Sequence, residues 1–105
     1  MANFYTDNSD LKFQLSHPLM QKIVELKEQN FKDSGVYDYA PCNVEDAIDS
    51  YDKVMEVMGE ICADTIAANA EQVDHDGPVC ENGHVTYAAG TAENQRVLTQ
   101  AGMYG

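Results

Sequence analysis

Basic residues are scarce. Six lysines and arginines stand against 18 aspartates and glutamates, for a formal net charge of −12. A chain with so little positive surface is poorly matched to nucleic acid or to an anionic membrane, because basic side chains hold both. Cysteine is also sparse and odd in number. Cys42, Cys62 and Cys80 lie far apart and form no CxxC pair, which argues against a disulfide framework and for a reducing, cytoplasmic setting. No apolar run approaches the roughly 20 residues a membrane span needs. The opening MANFYTDNSD has neither a basic region nor an apolar core, so no secretory signal is expected there. Phosphate-binding glycine loops and the GxSxG nucleophile turn are absent as well.

What the chain does have is helical periodicity. In the stretch NVEDAIDSYDKVMEVMGEICADTIAANA, apolar or small residues recur at Val44, Ile48, Tyr51, Met55, Met58, Cys62 and Thr65. Steps of four and three residues mark one face of a helix, and Ala47, Val54, Ile61 and Ala68 widen it. Asn43 suits the N-cap, with Glu45 and Asp46 in the first turn where the helix dipole favours acids. A long central helix is therefore expected over residues 43–70, fraying near 69–72. Gly59 inside it costs about 1 kcal/mol against alanine and suggests close approach by another helix or a slight bend.

A second helix is expected over 18–31. Pro18 opens it at a position where a missing N–H costs nothing, and Leu19, Ile23, Leu26 and Asn30 line one face, with Met20 and Val24 beside them. The first sixteen residues read as an arm. The alternation Leu11, Phe13, Leu15 favours an extended form over a helical turn, and the arm finds little within the chain to lie on. Tyr37 and Tyr39 sit in a linker, ready to pack on a neighbour. Between the long helix and the last one, Gly77-Pro78 and Asn82-Gly83 signal turns, and a small hairpin is expected over about 78–87. A marginal hairpin of that size would need to lean on helices. A final helix is expected over 91–101, capped by Thr91 and stopped by Gly102. The fold class is thus all-α: one bundle-like domain over 1–105, with an arm over 1–16 and a helical body over 17–105.

The densest group of potential ligands is Asp74, His75, Asp76, Cys80, Glu81 and His84. An EF-hand count from Asp74 puts Pro78 fifth and Val85 twelfth, which fails the pattern. Cys80 and His84 offer half of a zinc spacing without its second pair. A solvated turn is the simpler reading. His17 reads as a capping or surface residue. Cys62, Met20, Met55 and Met58 read as packing groups, and the long helix lacks the Glu-x-x-His of carboxylate-bridged metal bundles. No catalytic, cofactor-binding or metal-ligating residue is assigned.

Taken together, four segments resemble the N-terminal portion of the acyl-CoA dehydrogenases, in the subgroup with an extra leading segment. They are YTDNSDLKFQL at the start, ICADTIAANAEQVDHDG closing the long helix, ENGHVTYAAGT before the last helix, and LTQAGMYG at the end. The resemblance covers nearly the whole chain. It implies a structural helical domain that walls one side of an acyl and flavin pocket in an FAD-dependent parent enzyme, which would desaturate acyl-CoA thioesters. It also implies that the chain stops before the flavin-binding β-domain and the catalytic glutamate, so the segment itself would carry neither FAD nor activity. The partners implied are the parent's remaining domains and further copies in an oligomer. Two rival readings stand beside it: a free-standing acidic module that dimerises through the long helix, and a small metal-binding protein using the Asp74 to His84 loop.

Overall fold

A computed structural model describes residues 2–104. It is mostly helical, with one small two-stranded sheet. The elements run α1 (Ser9–Ser16), α2 (Met20–Lys27), a 3-10 turn (Gln29–Phe31), α3 (Val44–Ile61), a π-helical turn (Cys62–Ile66), α4 (Ala67–Asp76), β1 (Val79–Glu81), β2 (His84–Thr86) and α5 (Ala89–Gln100). The chain forms two compact units. One is Tyr5–Glu56; the other is the chain from Val57 onward with the residues up to Phe4.

The unit Tyr5–Glu56 begins with a correction. Residues 9–16 are helical, not extended, because Asn8 caps them: its side-chain oxygen accepts the Asp10 and Leu11 N–H groups at 3.1 and 3.4 Å. A local cap of this kind satisfies the donors a helix start leaves open, and it outweighs the alternating pattern. Nor is the arm without a place to lie, since Tyr5 is 2% exposed. His17 acts as a cap: its Nδ1 accepts from Leu19 N–H at 3.1 Å.

The second helix is shorter than expected. It ends at Lys27, and Gln29, Asn30 and Phe31 then take positive φ values of 51°, 57° and 59°. Left-handed backbone costs about 1–2 kcal/mol per non-glycine residue, so this reversal is a deliberate stop and not a fraying end. The buried face differs as well. Val24 is fully buried, whereas Leu19, Ile23 and Leu26 are exposed. Met20, Val24 and Glu28, spaced by four, form the inner side: the first and last are half-buried, and Glu28 accepts a hydrogen bond from the Tyr51 hydroxyl. Tyr37 and Tyr39 stack on each other at 5.4 Å and an 18° interplanar angle, and both stay exposed.

Asn43 caps α3 as its position predicts, its Oδ1 accepting from Asp46 N–H at 2.8 Å. Asp46 reaches back to Cys42 N–H at 3.1 Å, a reciprocal arrangement close to a capping box. Along this helix Ala47 and Gly59 are buried. Val44, Ile48, Tyr51, Met58, Cys62 and Thr65 are half-buried, and Met55 is 36% exposed. On the side that meets Tyr5, Ile48 and Asp52 are half-buried while Asp49 stays exposed.

In the other unit the helix continues through the π-turn to Asp76, six residues beyond the expected end. Gly59 is buried, but what approaches it is the non-helical chain start and not another helix: Phe4 N–H donates to the Gly59 carbonyl at 3.1 Å. The helix persists because α5 supports it. Asn69 and Asn94 exchange side-chain hydrogen bonds at 2.6 and 3.2 Å. A Cβ added at Gly90 would stand 2.4 Å from Val73 Cγ2, so the helices meet at a glycine. The pairing of 69 with 94 and 73 with 90 makes them antiparallel. The final helix starts at Ala89, and no side chain caps it, Thr91 included. Gly102 ends it at φ 75°. Gly102 N–H bonds to Thr99 O and Met103 N–H to Leu98 O, both at 3.0 Å, which is the Schellman pattern.

The hairpin forms where expected, with Cys80 opposite Val85 and positive φ at Asn82 and Gly83, the conformation a two-residue primed turn requires. Every residue of both strands is exposed, so it does not lean on the helices as a marginal hairpin was expected to do.

Candidate functional site

An open concavity lies within the unit Tyr5–Glu56. It is an open cleft of about 530 Å³ between α1 and the first half of α3. Tyr5, Leu15 and Ile48 supply its apolar lining; Lys12, Glu45, Asp49 and Asp52 supply charge. The spacing 45, 48, 49, 52 puts these residues on one side of α3. Lys12 is carried over the cleft by α1, four residues past the Asn8 cap.

Tyr5 is the pivot. Its hydroxyl donates to Asp52 Oδ1 at 2.5 Å, and Lys12 Nζ sits 3.9 Å from the same oxygen and 5.4 Å from the Tyr5 ring centroid. The phenol's pKa is pushed up to about 12, first by burial, then by the hydrogen bond to Asp52 and the negative charge of Asp52 and Glu56. Tyr5 therefore stays protonated throughout the neutral range, and its proton is already committed to Asp52. Among the described residues lining the cleft there is no thiol and no imidazole. The arrangement suits holding a group by contact and charge; it does not assemble a nucleophile with a base.

A second, smaller concavity of about 350 Å³ involves Lys27, Glu28, Tyr39, Pro41, Tyr51 and Val54. Its polar pin has the same design. The Tyr51 hydroxyl donates to Glu28 Oε1, and burial together with that carboxylate pushes Tyr51 up to about 12.

The loop residues weighed as metal ligands are dispersed. Asp74, His75 and Asp76 close α4, while Cys80, Glu81 and His84 lie on the hairpin, and all six are exposed. Among the described residues, no three His, Cys, Asp or Glu side chains converge as a metal site would require. All three cysteines are free thiols. No helix among the described residues is long and apolar enough to cross a membrane.

Asp52 falls outside the apolar face of the long helix, and Tyr5 belongs to an arm expected to find little within the chain to lie on. The one local signal for their pairing was the arm's aromatic character. The 47-residue separation gave no spacing rule to exploit. The architecture defines a predominantly helical protein with small polar-pinned clefts and no assembled catalytic constellation among its described residues. No family model, curated protein or solved structure matches the chain.

Proposed function

We propose that this chain serves as a structural helical domain of an FAD-dependent acyl-CoA dehydrogenase acting in the cytoplasm, and that it is not catalytic by itself. The observation that carries the reading is the set of large apolar side chains left uncovered on an acidic helical body. Phe13, Leu19, Ile23, Leu26, Tyr39 and Tyr87 are all more than half exposed. Exposed apolar side chains suit a domain that works against neighbouring ones, and three of them, Leu19, Ile23 and Leu26, share one helical face. The four-segment resemblance supplies the family, and the predominantly helical architecture accords with a helical wall domain. Three free thiols accord with a reducing compartment.

The test is to raise antibodies against the purified chain and recover the native antigen from its source. The reading expects a polypeptide larger than 11.6 kDa that is yellow with bound flavin and bleaches on addition of an acyl-CoA thioester. The 105-residue chain itself should purify colourless. A colourless native antigen no larger than the chain would overturn the proposal and favour the free-standing acidic interaction module. Stoichiometric flavin on the isolated chain would overturn the non-catalytic part of it.

A further inference from the structure

Helix α2 and its N-cap Leu19 carry an exposed apolar stripe. Leu19, Ile23 and Leu26 follow one another at steps of four and three residues and are 69%, 53% and 68% exposed. Val24, on the opposite side, is fully buried, so the orientation of the helix is fixed and the stripe points away from its own unit. With 3.6 residues per turn, Lys22 and Lys27 fall about 70° to either side of the stripe's centre. Both are exposed, and neither forms an ion pair among the described residues. Both acids of this helix region are turned elsewhere: Glu28 accepts from the Tyr51 hydroxyl, and Glu25 accepts from Gln21 at 3.3 Å on the far side.

The local charge is opposite to that of the whole. Residues 19–32 hold three of the chain's six basic residues (Lys22, Lys27 and Lys32) and only two of its 18 acids. In heptad terms Leu19, Ile23 and Leu26 occupy the seam, and Lys22 and Lys27 occupy the two edges that set partner choice. Pairing α2 with α2 of a second copy brings lysine against lysine in either orientation, and like charges across such a seam are disfavoured. From this geometry we infer that the α2 stripe is a docking surface for an amphipathic helix of a different segment, one with aliphatic residues along its seam and carboxylates on both edges. Hydrophobic contact supplies the attraction; Lys22 and Lys27 supply the selectivity. The inference does not depend on the chain belonging to a flavoenzyme.

The net charge of −12 makes the test discriminating. Two synthetic three-heptad peptides with leucine at the seam are titrated into the purified chain, one with glutamate and one with lysine at every edge position. If the bulk charge governs, the lysine peptide binds better. The docking surface predicts the reverse, with the glutamate peptide favoured about tenfold at moderate salt. The doubly reversed variant Lys22→Glu/Lys27→Glu, both changes being on exposed side chains, should invert that preference while its circular dichroism stays unchanged. Ile23→Ser should weaken both peptides. A preference for the lysine peptide, no binding of either, or self-association of the chain abolished by Ile23→Ser would each overturn the inference.

Discussion

The two units close their helices by opposite means. In Tyr5–Glu56 the joints are tyrosine hydroxyls set on carboxylates: Tyr5 on Asp52 and Tyr51 on Glu28. In the other unit α4 and α5 meet backbone to side chain, at Gly90 against Val73, with an asparagine pair beside them. A polar pin tolerates separation and relaxes locally when cut. A close-packed glycine joint leaves no slack, because a β-branched valine in a helix is stiff at χ1. The difference teaches where each half is vulnerable.

The largest effect should come from the glycine joint. Gly90→Ala improves helix propensity by about 1 kcal/mol, yet the new methyl collides with Val73. Overpacking costs about 1–3 kcal/mol. A contact as short as 2.4 Å against a χ1-stiff valine sits at the upper end, so a net loss of about 2 kcal/mol is expected in chemical denaturation. The double variant Gly90→Ala/Val73→Ala should recover it. A stabilised Gly90→Ala single variant would show that the joint is looser than drawn.

The asparagine pair should rank next. Asn94→Ala leaves the half-buried Asn69 amide without its partner, at a cost of about 1–2 kcal/mol. Tyr5→Phe should cost about 1 kcal/mol. The Asp52 side chain is 39% exposed and has Lys12 nearby, so water and the ammonium take over part of the lost bond. If Tyr5→Phe proves costlier than Gly90→Ala, the ordering drawn from this comparison fails.

The pins also set a pH window that the glycine joint lacks. An unfolded phenol releases its proton near pH 10, while Tyr5 and Tyr51 hold theirs to about 12. Raised folded-state values stabilise the fold fully below pH 10, and that stabilisation is lost as the pH climbs through 12. Ultraviolet titration of phenolate should show two of the six tyrosines ionising late, one lost in Tyr5→Phe and the other in Tyr51→Phe. Titration of all six in a single early step would remove the pins as a structural device.

The smallest effect should be at Met55. The helical pattern alone makes Met55→Asp a severe core substitution, but the side chain is 36% exposed, and a loss below about 1 kcal/mol is expected. A loss of several kcal/mol would show that a partner covers this face in solution.

Local chemistry was legible in the sequence where a few neighbouring residues settle the matter. Asn43 as a cap, the Asn82-Gly83 turn and Gly102 as a stop all depend on hydrogen bonds and φ preferences within four or five residues. The same logic was available for Asn8, which made residues 9–16 helical, and was outweighed by a three-residue alternation. Gly90 gave no warning, since a glycine's meaning depends on what approaches it, and Val73 is brought there only by the antiparallel return of α5.

The sequence by itself determined that the chain is helical, strongly acidic and turned at particular glycines and asparagines, because those properties are sums over short windows. Which helix face is covered was left to the tertiary structure. Leu19, Ile23 and Leu26 have the period of a core stripe, yet Val24 is the residue that is buried. Periodicity fixes that a helix has two sides; only the position of its neighbours decides which one loses contact with water.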